Sequence, residues 1–392
     1  MPKILLIITG SVAAYKALDL IAELQKRGHD IDVIQTKSAQ NFVNKSEIEY
    51  LINKEVYDNL WSQDESLLMH HINLTRANDY ILVYPLTADF LNKIASGFAD
   101  NLALATILAS DKKVIFMPAM NSKMYNNFVT QDNIKKLIKY GHIFIGPDNG
   151  MLACGEEGPG RVVDWKPVLA KINELEKFRS KVLGKNILVT AGATIEAIDP
   201  VRYISNYSSG IQGYQIARSF SDLGARVTFI HGKIDVPIDC EFSKVIEALS
   251  ARDMRDAVLA NCVNVDLAIL SAAVADYAPK SYQSQKMKKL DDQNEISLSF
   301  VKNPDILKEL SSLRHKPEII IGFAAESNNL VENAKLKLAR KGCDYILAND
   351  ISANQIFGSK DTKITFVAPN YCKDWPEMPK SNVASYIINE IL

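Results

Sequence analysis

The groups with the greatest chemical reach in this sequence are one cysteine, one histidine pair and two asparagines. Cys154 lies in Ala153-Cys154-Gly155-Glu156-Glu157-Gly158-Pro159-Gly160-Arg161, where small and rigid residues around a thiol suggest a mobile flap that carries it. His70-His71-Ile72-Asn73-Leu74 supplies imidazole, the side chain that titrates near neutral pH. Asn121, in Pro118-Ala119-Met120-Asn121-Ser122-Lys123-Met124, closes a predicted strand and places an amide at the ligand edge of the sheet. Gly10-Ser11-Val12-Ala13-Ala14-Tyr15-Lys16 places small residues at a strand-to-helix turn, where backbone N–H groups can approach an anion. Thr36-Lys37-Ser38 and Thr87 add hydroxyls at the ends of the next strands. Taken singly, each segment reads equally well as an ordinary turn or a structural residue.

A second set follows. In Asp199-Pro200-Val201-Arg202-Tyr203-Ile204-Ser205-Asn206-Tyr207-Ser208-Ser209-Gly210, Arg202 offers a fork for a phosphate or carboxylate, and Asn206 precedes a helix start. Ser271-Ala272-Ala273-Val274-Ala275-Asp276-Tyr277 leaves space at a strand end, with Asp276 able to accept from a base or ribose. Gln285-Lys286-Met287-Lys288-Lys289, then Lys302-Asn303-Pro304-Asp305, put cations beside it. Phe323 ends a further strand, and Lys337 and Lys341 share one helix face at i,i+4 spacing. That pattern suits a polyphosphate, while a solvated basic face stays open. Neither half contains GxGxxG, so a standard dinucleotide site has no support.

The elements that must position these groups alternate strand and helix. Lys3–Thr9, Asp30–Thr36, Asp79–Thr87, Lys113–Met120 and, more weakly, His142–Pro147 read as strands, with a helix over Ala13–Arg27 stopped by Gly28. Asp164–Lys181 reads as a helix, and its charged end near Gly184 is the candidate boundary. The chain then restarts with Asn186–Gly192. Arg226–His231, Leu267–Asp276, Ile296–Val301, Glu318–Ala325 and Asp344–Asn349 follow as strands, with helices over Gly210–Leu223 and Asn328–Lys341. The reading is α/β: two fused Rossmann-like domains, 1–182 and 183–392, each around a parallel core sheet. The long segment Ala193–Ser209 reads as an irregular loop at the ligand edge of the second sheet.

Composition agrees with an ordinary globular chain of 392 residues, 47% hydrophobic and 23% charged. A net charge of -1 points away from nucleic acid and anionic membranes. The apolar run at the start is about five residues, short for a signal peptide. The chain therefore reads as cytoplasmic, with its five cysteines as reduced thiols.

In their order, the first-half segments resemble the flavin-dependent cysteine decarboxylases, in the phosphopantothenoylcysteine decarboxylase branch. The resemblance implies FMN held by Gly10, Ser11, Val12, Ala13, Thr36, Ser38 and Thr87. It also implies His71 as base, Asn121 on the substrate carboxylate and Cys154 as proton donor. The second-half segments RYISNxSSG, AAVADY, KxKK, KNPDI and GFAAE resemble phosphopantothenate–cysteine ligase. That implies CTP bound by Ala273, Asp276, Lys286, Lys302, Asn303, Pro304, Asp305, Phe323, Lys337 and Lys341. Lys286 would aid pyrophosphate loss, and Asn206 would stabilise an acyl-cytidylate. Mg²⁺ or Mn²⁺ would accompany the nucleotide, with no protein ligands to name. Substrates would be 4'-phosphopantothenate, L-cysteine and CTP. The family further implies a homo-oligomer, trimeric through the first half and dimeric through the second, hence a dodecamer.

The departures are Tyr84-Pro85-Leu86-Thr87-Ala88-Asp89 at the flavin wall and Gly210-Ile211-Gln212-Gly213, which lacks the usual charge after the first glycine. A two-domain nicotinamide oxidoreductase and a non-catalytic flavoprotein regulator are the rival readings. Absence of GxGxxG weighs against the first. Retention of His71, Asn121, Cys154 and a complete second half weighs against the other. Cys154→Ser is expected to release carbon dioxide but accumulate an oxidised, decarboxylated intermediate with reduced flavin. Normal turnover by that variant, measured as thiol product, would remove Cys154 from the role.

Overall fold

The computed structural model describes residues 1–61, 69–287, 297–351, 359 and 361–392. The chain forms two units, Met1–Glu174 and Leu175–Leu392. Among the described residues, no helix is long and apolar enough to cross a membrane.

The first unit is built on five parallel strands: β1 (Lys3–Ile8), β2 (Asp30–Gln35), β3 (Tyr80–Leu86), β4 (Val114–Pro118) and β5 (Ile143–Phe144). Their order is β2-β1-β3-β4-β5. Helices α1 (Lys16–Lys26), α2 (Lys45–Ile52), α3 (His70–Ala77), α4 (Ala88–Ala95), α5 (Leu102–Leu108), α6 (Ser122–Asn126) and α7 (Phe128–Lys139) accompany the sheet. A strand covered on both faces needs apolar residues at every position, not alternate ones. This explains why Ile4 to Ile8 are all fully buried. Burial of each such side chain stabilises the unit by about 1.5–3 kcal/mol.

Two first-half expectations need correction. The helix after Gly10 does not begin as an α-helix: Val12–Tyr15 forms a 3-10 turn capped by Ser11, and α1 begins only at Lys16. The expected strand His142–Pro147 contracts to β5, because Gly146 turns the chain with φ +78°. After it, β6 (Asp148–Met151) and β7 (Glu157–Arg161) form an antiparallel hairpin where the sequence suggested only a flap. Helix α8 (Trp165–Val182) follows, within a residue of its expected bounds.

The second unit starts with β8 (Asn186–Ala191), β9 (Ile195–Ala197), β10 (Tyr203–Ser205), α9 (Ile211–Asp222), β11 (Arg226–His231) and β12 (Lys244–Glu247). It continues with α10 (Ala251–Ala260), β13 (Leu267–Leu270), β14 (Tyr277–Pro279), β15 (Phe300–Lys302), α11 (Ile306–Ser311) and β16 (Ile319–Glu326). The last elements are α12 (Leu330–Lys341), β17 (Tyr345–Asp350), β18 (Asp361–Thr362), β19 (Ile364–Val367), β20 (Cys372–Asp374), β21 (Met378–Pro379) and α13 (Val383–Ile391). The main sheet runs β12-β11-β8-β13-β16-β17-β19-β20. It is parallel from β12 to β17, then extended by antiparallel β19 and β20.

Three second-half expectations are corrected. The strand expected over Leu267–Asp276 ends at Leu270, since the small residues that follow serve as loop rather than ladder. Within the expected Ile296–Val301 strand, Ile296 lies outside the described residues. The strand observed there is Phe300–Lys302, paired with β14 away from the main sheet. The segment Ala193–Ser209 is not irregular throughout, because β9 and β10 pair antiparallel from Ile195↔Ser205 to Ala197↔Tyr203.

Candidate active sites at the two sheet edges

In the first unit the carboxyl ends of β1, β2 and β3 converge on a cleft. Gly10, Ser11, Thr36, Ser38 and Thr87 line it, together with Thr9, Lys93, Asn101 and Met120. The approach at Gly10 is so close that an added Cβ would lie 2.4 Å from Ser38 Cβ. Thr9 Oγ1 donates to Pro85 O at 2.6 Å and accepts from Thr87 N–H at 3.2 Å, tying β1 to the turn after β3. Thr87 in turn caps α4 by accepting from Phe90 N–H. Val12 and Ala13, expected in the cofactor set, form the 3-10 turn beside the cleft and do not line it. Asn101 escaped the sequence reading. Its signal was present, an asparagine directly before an apolar run, and it caps α5 by accepting from Leu104 N–H.

The structure brings Asn121 and Cys154 together. Asn121 caps α6 by accepting from Lys123 N–H at 2.8 Å, which fixes its amide. Its Nδ2 donates to Cys154 Sγ at 3.2 Å and to Glu156 Oε2 at 2.7 Å. The β6–β7 hairpin is held against this helix start by Met120 N–H donating to Gly160 O at 3.0 Å. Only glycine fits there, since a Cβ on Gly160 would lie 2.1 Å from Met120 O. Cys154 is exposed. His71 stands in the first turn of α3 and is not among the residues lining the cleft, so one chain alone does not place it there.

In the second unit a cleft opens over β8, β13 and β16. Asp276, Lys302, Asn303, Pro304, Asp305, Phe323, Lys337 and Lys341 all line it. The two peptide segments that form one wall are laced together. Asn303 Nδ2 donates to Ala275 O at 2.9 Å, and Asn303 N–H donates to Asp276 O at 2.9 Å. Lys308 and Arg340, unremarked in the sequence, complete a lining of five cations against Asp276 and Asp305. An excess of positive charge is what a polyphosphate needs.

The burial of Lys337 pushes its amine below the ordinary lysine range, and the Lys341 charge adds to the shift. Its Nζ donates to Phe323 O at 2.8 Å. Burial pushes Asp305 upwards, but hydrogen bonds from Lys341 and from Lys308 N–H outweigh it and leave the carboxyl below its usual range.

Several expectations land elsewhere. Arg202 does not present a free fork: Nε donates to Asp199 Oδ2 at 2.9 Å and Nη2 to Met287 O at 2.6 Å. Asp199 also accepts from the Val201, Arg202 and Met287 N–H groups, bonds that outweigh burial and hold its carboxyl well below the usual range. The pair is a brace for the loop. Lys286, next to the pinned Met287, is exposed and does not line the cleft, while Lys288 and Lys289 lie outside the described residues. Ala273 is a backbone latch, donating to Gly192 O at 2.8 Å, rather than a cleft residue. Asn206 Nδ2 donates to Val274 O at 3.1 Å, which joins its loop to the wall of the cleft. No group of three or more His, Cys, Asp or Glu able to hold a metal occurs among the described residues.

Residues 1–177 match the family model described as Flavoprotein. Residues 182–392 match that described as DNA/pantothenate metabolism flavoprotein C-terminal domain. The chain is 40% identical over 391 residues to the coenzyme A biosynthesis bifunctional protein CoaBC of Vibrio vulnificus strain YJ016, covering 99% of this chain and 97% of the relative. The chain belongs to the family of coenzyme A biosynthesis bifunctional proteins. The CoaBC protein of Bacillus subtilis strain 168 is 38% identical over 392 residues, 99% of this chain and 96% of its own. A crystal structure of the C-terminal domain of a CoaBC protein aligns with TM-score 0.46 and 35% identity, covering 54% of this chain and 95% of that one. The chain is thus a two-domain enzyme of coenzyme A biosynthesis, with a flavoprotein half first.

Desolvation of Lys337 has a consequence for binding. An anion placed in the cleft restores the charged amine and raises its pKa, so binding takes up a proton as pH climbs through the depressed value. Polyphosphate affinity, measured by calorimetry, is expected to weaken on the alkaline side at a lower pH than an ordinary lysine would cause. Lys337→Arg should flatten that limb, and Lys337→Ala should cost about 10–100-fold in affinity. An unchanged alkaline limb in Lys337→Arg would remove Lys337 from anion binding.

Proposed function

We propose that residues 183–392 join 4'-phosphopantothenate to L-cysteine at the expense of CTP, and that residues 1–182 decarboxylate the product to 4'-phosphopantetheine with FMN. The observation that carries the reading is the 3.2 Å contact between Asn121 Nδ2 and Cys154 Sγ. It supports the reading by bringing together an amide able to donate and a thiol beside a hydroxyl-lined cleft.

Ligation requires activation because a carboxylate and an amine do not condense in water. A carboxylate oxygen attacks the α-phosphorus of CTP and pyrophosphate leaves. The cysteine amine then attacks the acyl carbon, forms the amide, releases CMP and gives up a proton. Lys302, Lys337 and Lys341 line a cleft suited to the polyphosphate, and Phe323 and Asp276, in the same lining, contact the cytidine in this reading. Lys286 aids pyrophosphate loss from its exposed position, and Asn206 steadies the acyl-cytidylate. Mg²⁺ or Mn²⁺ is held by the nucleotide phosphates, as such cations commonly are.

The first-half cleft fits FMN in the chemistry of its lining: hydroxyls of Ser11, Thr36, Ser38 and Thr87 surround the tight turn at Gly10. When bound, FMN supplies a reversible two-electron sink, so that oxidation at the thiol-bearing carbon lets carbon dioxide leave and no external oxidant is consumed. Asn121 holds the departing carboxylate in place. Cys154 returns a proton to the carbon framework as the thiol product forms. His71 acts as base in this reading, although it stands in α3 outside the lining of its own chain's cleft. Trimers through the first half and dimers through the second make a dodecamer.

Incubation of the full chain with 4'-phosphopantothenate, L-cysteine, Mg²⁺ and either CTP or ATP tests the reading. Carbon dioxide release with CTP and not with ATP is expected. Release with ATP alone would overturn the nucleotide, and release with neither would overturn the pathway.

A further inference from the structure

Both hydrogens on Asn121 Nδ2 are engaged inside the protein. The cap to Lys123 N–H holds Oδ1 on the helix side, so the amino group must face the β6–β7 hairpin. One N–H then goes to Cys154 Sγ at 3.2 Å and the other to Glu156 Oε2 at 2.7 Å. The turn that presents Glu156 is itself closed by Leu152 N–H donating to Glu156 O and Gly155 N–H donating to Leu152 O, both at 2.9 Å. A substrate carboxylate seeking this amide therefore meets another carboxylate already on it.

We infer that Glu156 is a resident surrogate for the substrate carboxylate, which the substrate must displace from Asn121 in order to bind productively. The inference rests on the reading of Asn121 as the carboxylate donor. A receiving partner stands close by: Lys123 Nζ lies 3.8 Å from Glu156 Oε1. On displacement Glu156 turns fully to Lys123, leaving Cys154 in the hairpin beside the incoming group. Once carbon dioxide has left, the product has no carboxylate with which to hold the amide, and Glu156 returns to it. Substrate thus competes with Glu156 while product does not. Glu156 is a positioning residue and takes no part in bond making.

The test compares wild type, Glu156→Gln and Lys123→Ala in the full chain, with flavin absorbance reporting an intact first half. The neutral amide of Glu156→Gln holds Asn121 more weakly than a carboxylate, so KM for 4'-phosphopantothenoylcysteine should fall about 3–10-fold with a smaller change in kcat. Lys123→Ala removes the receiving cation and should raise the same KM by up to about 5-fold. The inhibition constant of 4'-phosphopantetheine, which lacks the carboxylate, should stay within about twofold in both variants. An unchanged substrate KM in Glu156→Gln, or equal shifts for substrate and product, would overturn the surrogate role while wild-type turnover still upheld the decarboxylase reading. Failure of the wild-type chain to release carbon dioxide from 4'-phosphopantothenoylcysteine would instead remove the reading beneath it.

Discussion

Each unit depends on one absent Cβ at the end of its opening strand. At Gly10 a side chain would collide with Ser38, and at Gly192, with φ +80°, a Cβ would lie 2.4 Å from Lys233 O. Removing that atom lets neighbouring strand ends close on one another. In the first unit Thr36 N–H reaches Ile8 O at 3.0 Å, and Thr9 bonds the turn at Pro85 and Thr87. In the second, Ala193 exchanges hydrogen bonds with Lys233, and Ala273 N–H bonds Gly192 O. These latches set where the loops leave the sheet, and Ser11, Ser38, Thr87, Asn206 and Asp276 sit on those loops. Open α/β sheets bind ligands at this edge for the same reason.

On that shared frame the two edges solve different electrostatic problems. The second cleft gathers Lys302, Lys308, Lys337, Arg340 and Lys341 in one lining, with Lys337 desolvated. The first cleft is walled largely by hydroxyls and small residues, with the Asn121 amide and the Cys154 thiol held to one side by a hairpin. Under the proposed function, charge is concentrated in the cleft assigned to the nucleotide and sparser in the cleft assigned to the flavin ring. Cationic pairs inside a half-buried cleft are costly without their ligand, and the contact between Lys341 and Asp305 offsets part of that cost.

The sequence made the parallel core legible because buried strands such as Lys3–Ile8 and Asn186–Ala191 are continuous apolar runs with no competing period. Asn121 and Cys154, which meet in the fold, and Asp276 and Lys337, which line one cleft, are legible as candidates because they sit in segments with recognisable order. What local pattern could not show was pairing between distant segments. The hairpin of Asp148–Met151 and Glu157–Arg161 is rich in glycine and proline and carries no alternation, so it read as loop. The antiparallel extension by Ile364–Val367 and Cys372–Asp374 was missed because its pairing is set by tertiary contact. Arg202 looked like an anion fork, but only the fold reveals that Asp199 and Met287 already occupy it. His71 was placed by resemblance at a cleft that its own helix does not line.

The account holds that the two halves carry separate sites, and that the first depends on the backbone closing at Gly10. Gly10→Val tests both at once, read by flavin absorbance together with CTP-dependent amide formation. A colourless protein that ligates at the wild-type rate is the predicted result. A yellow variant with full flavin content, or loss of ligation together with the flavin, would contradict it.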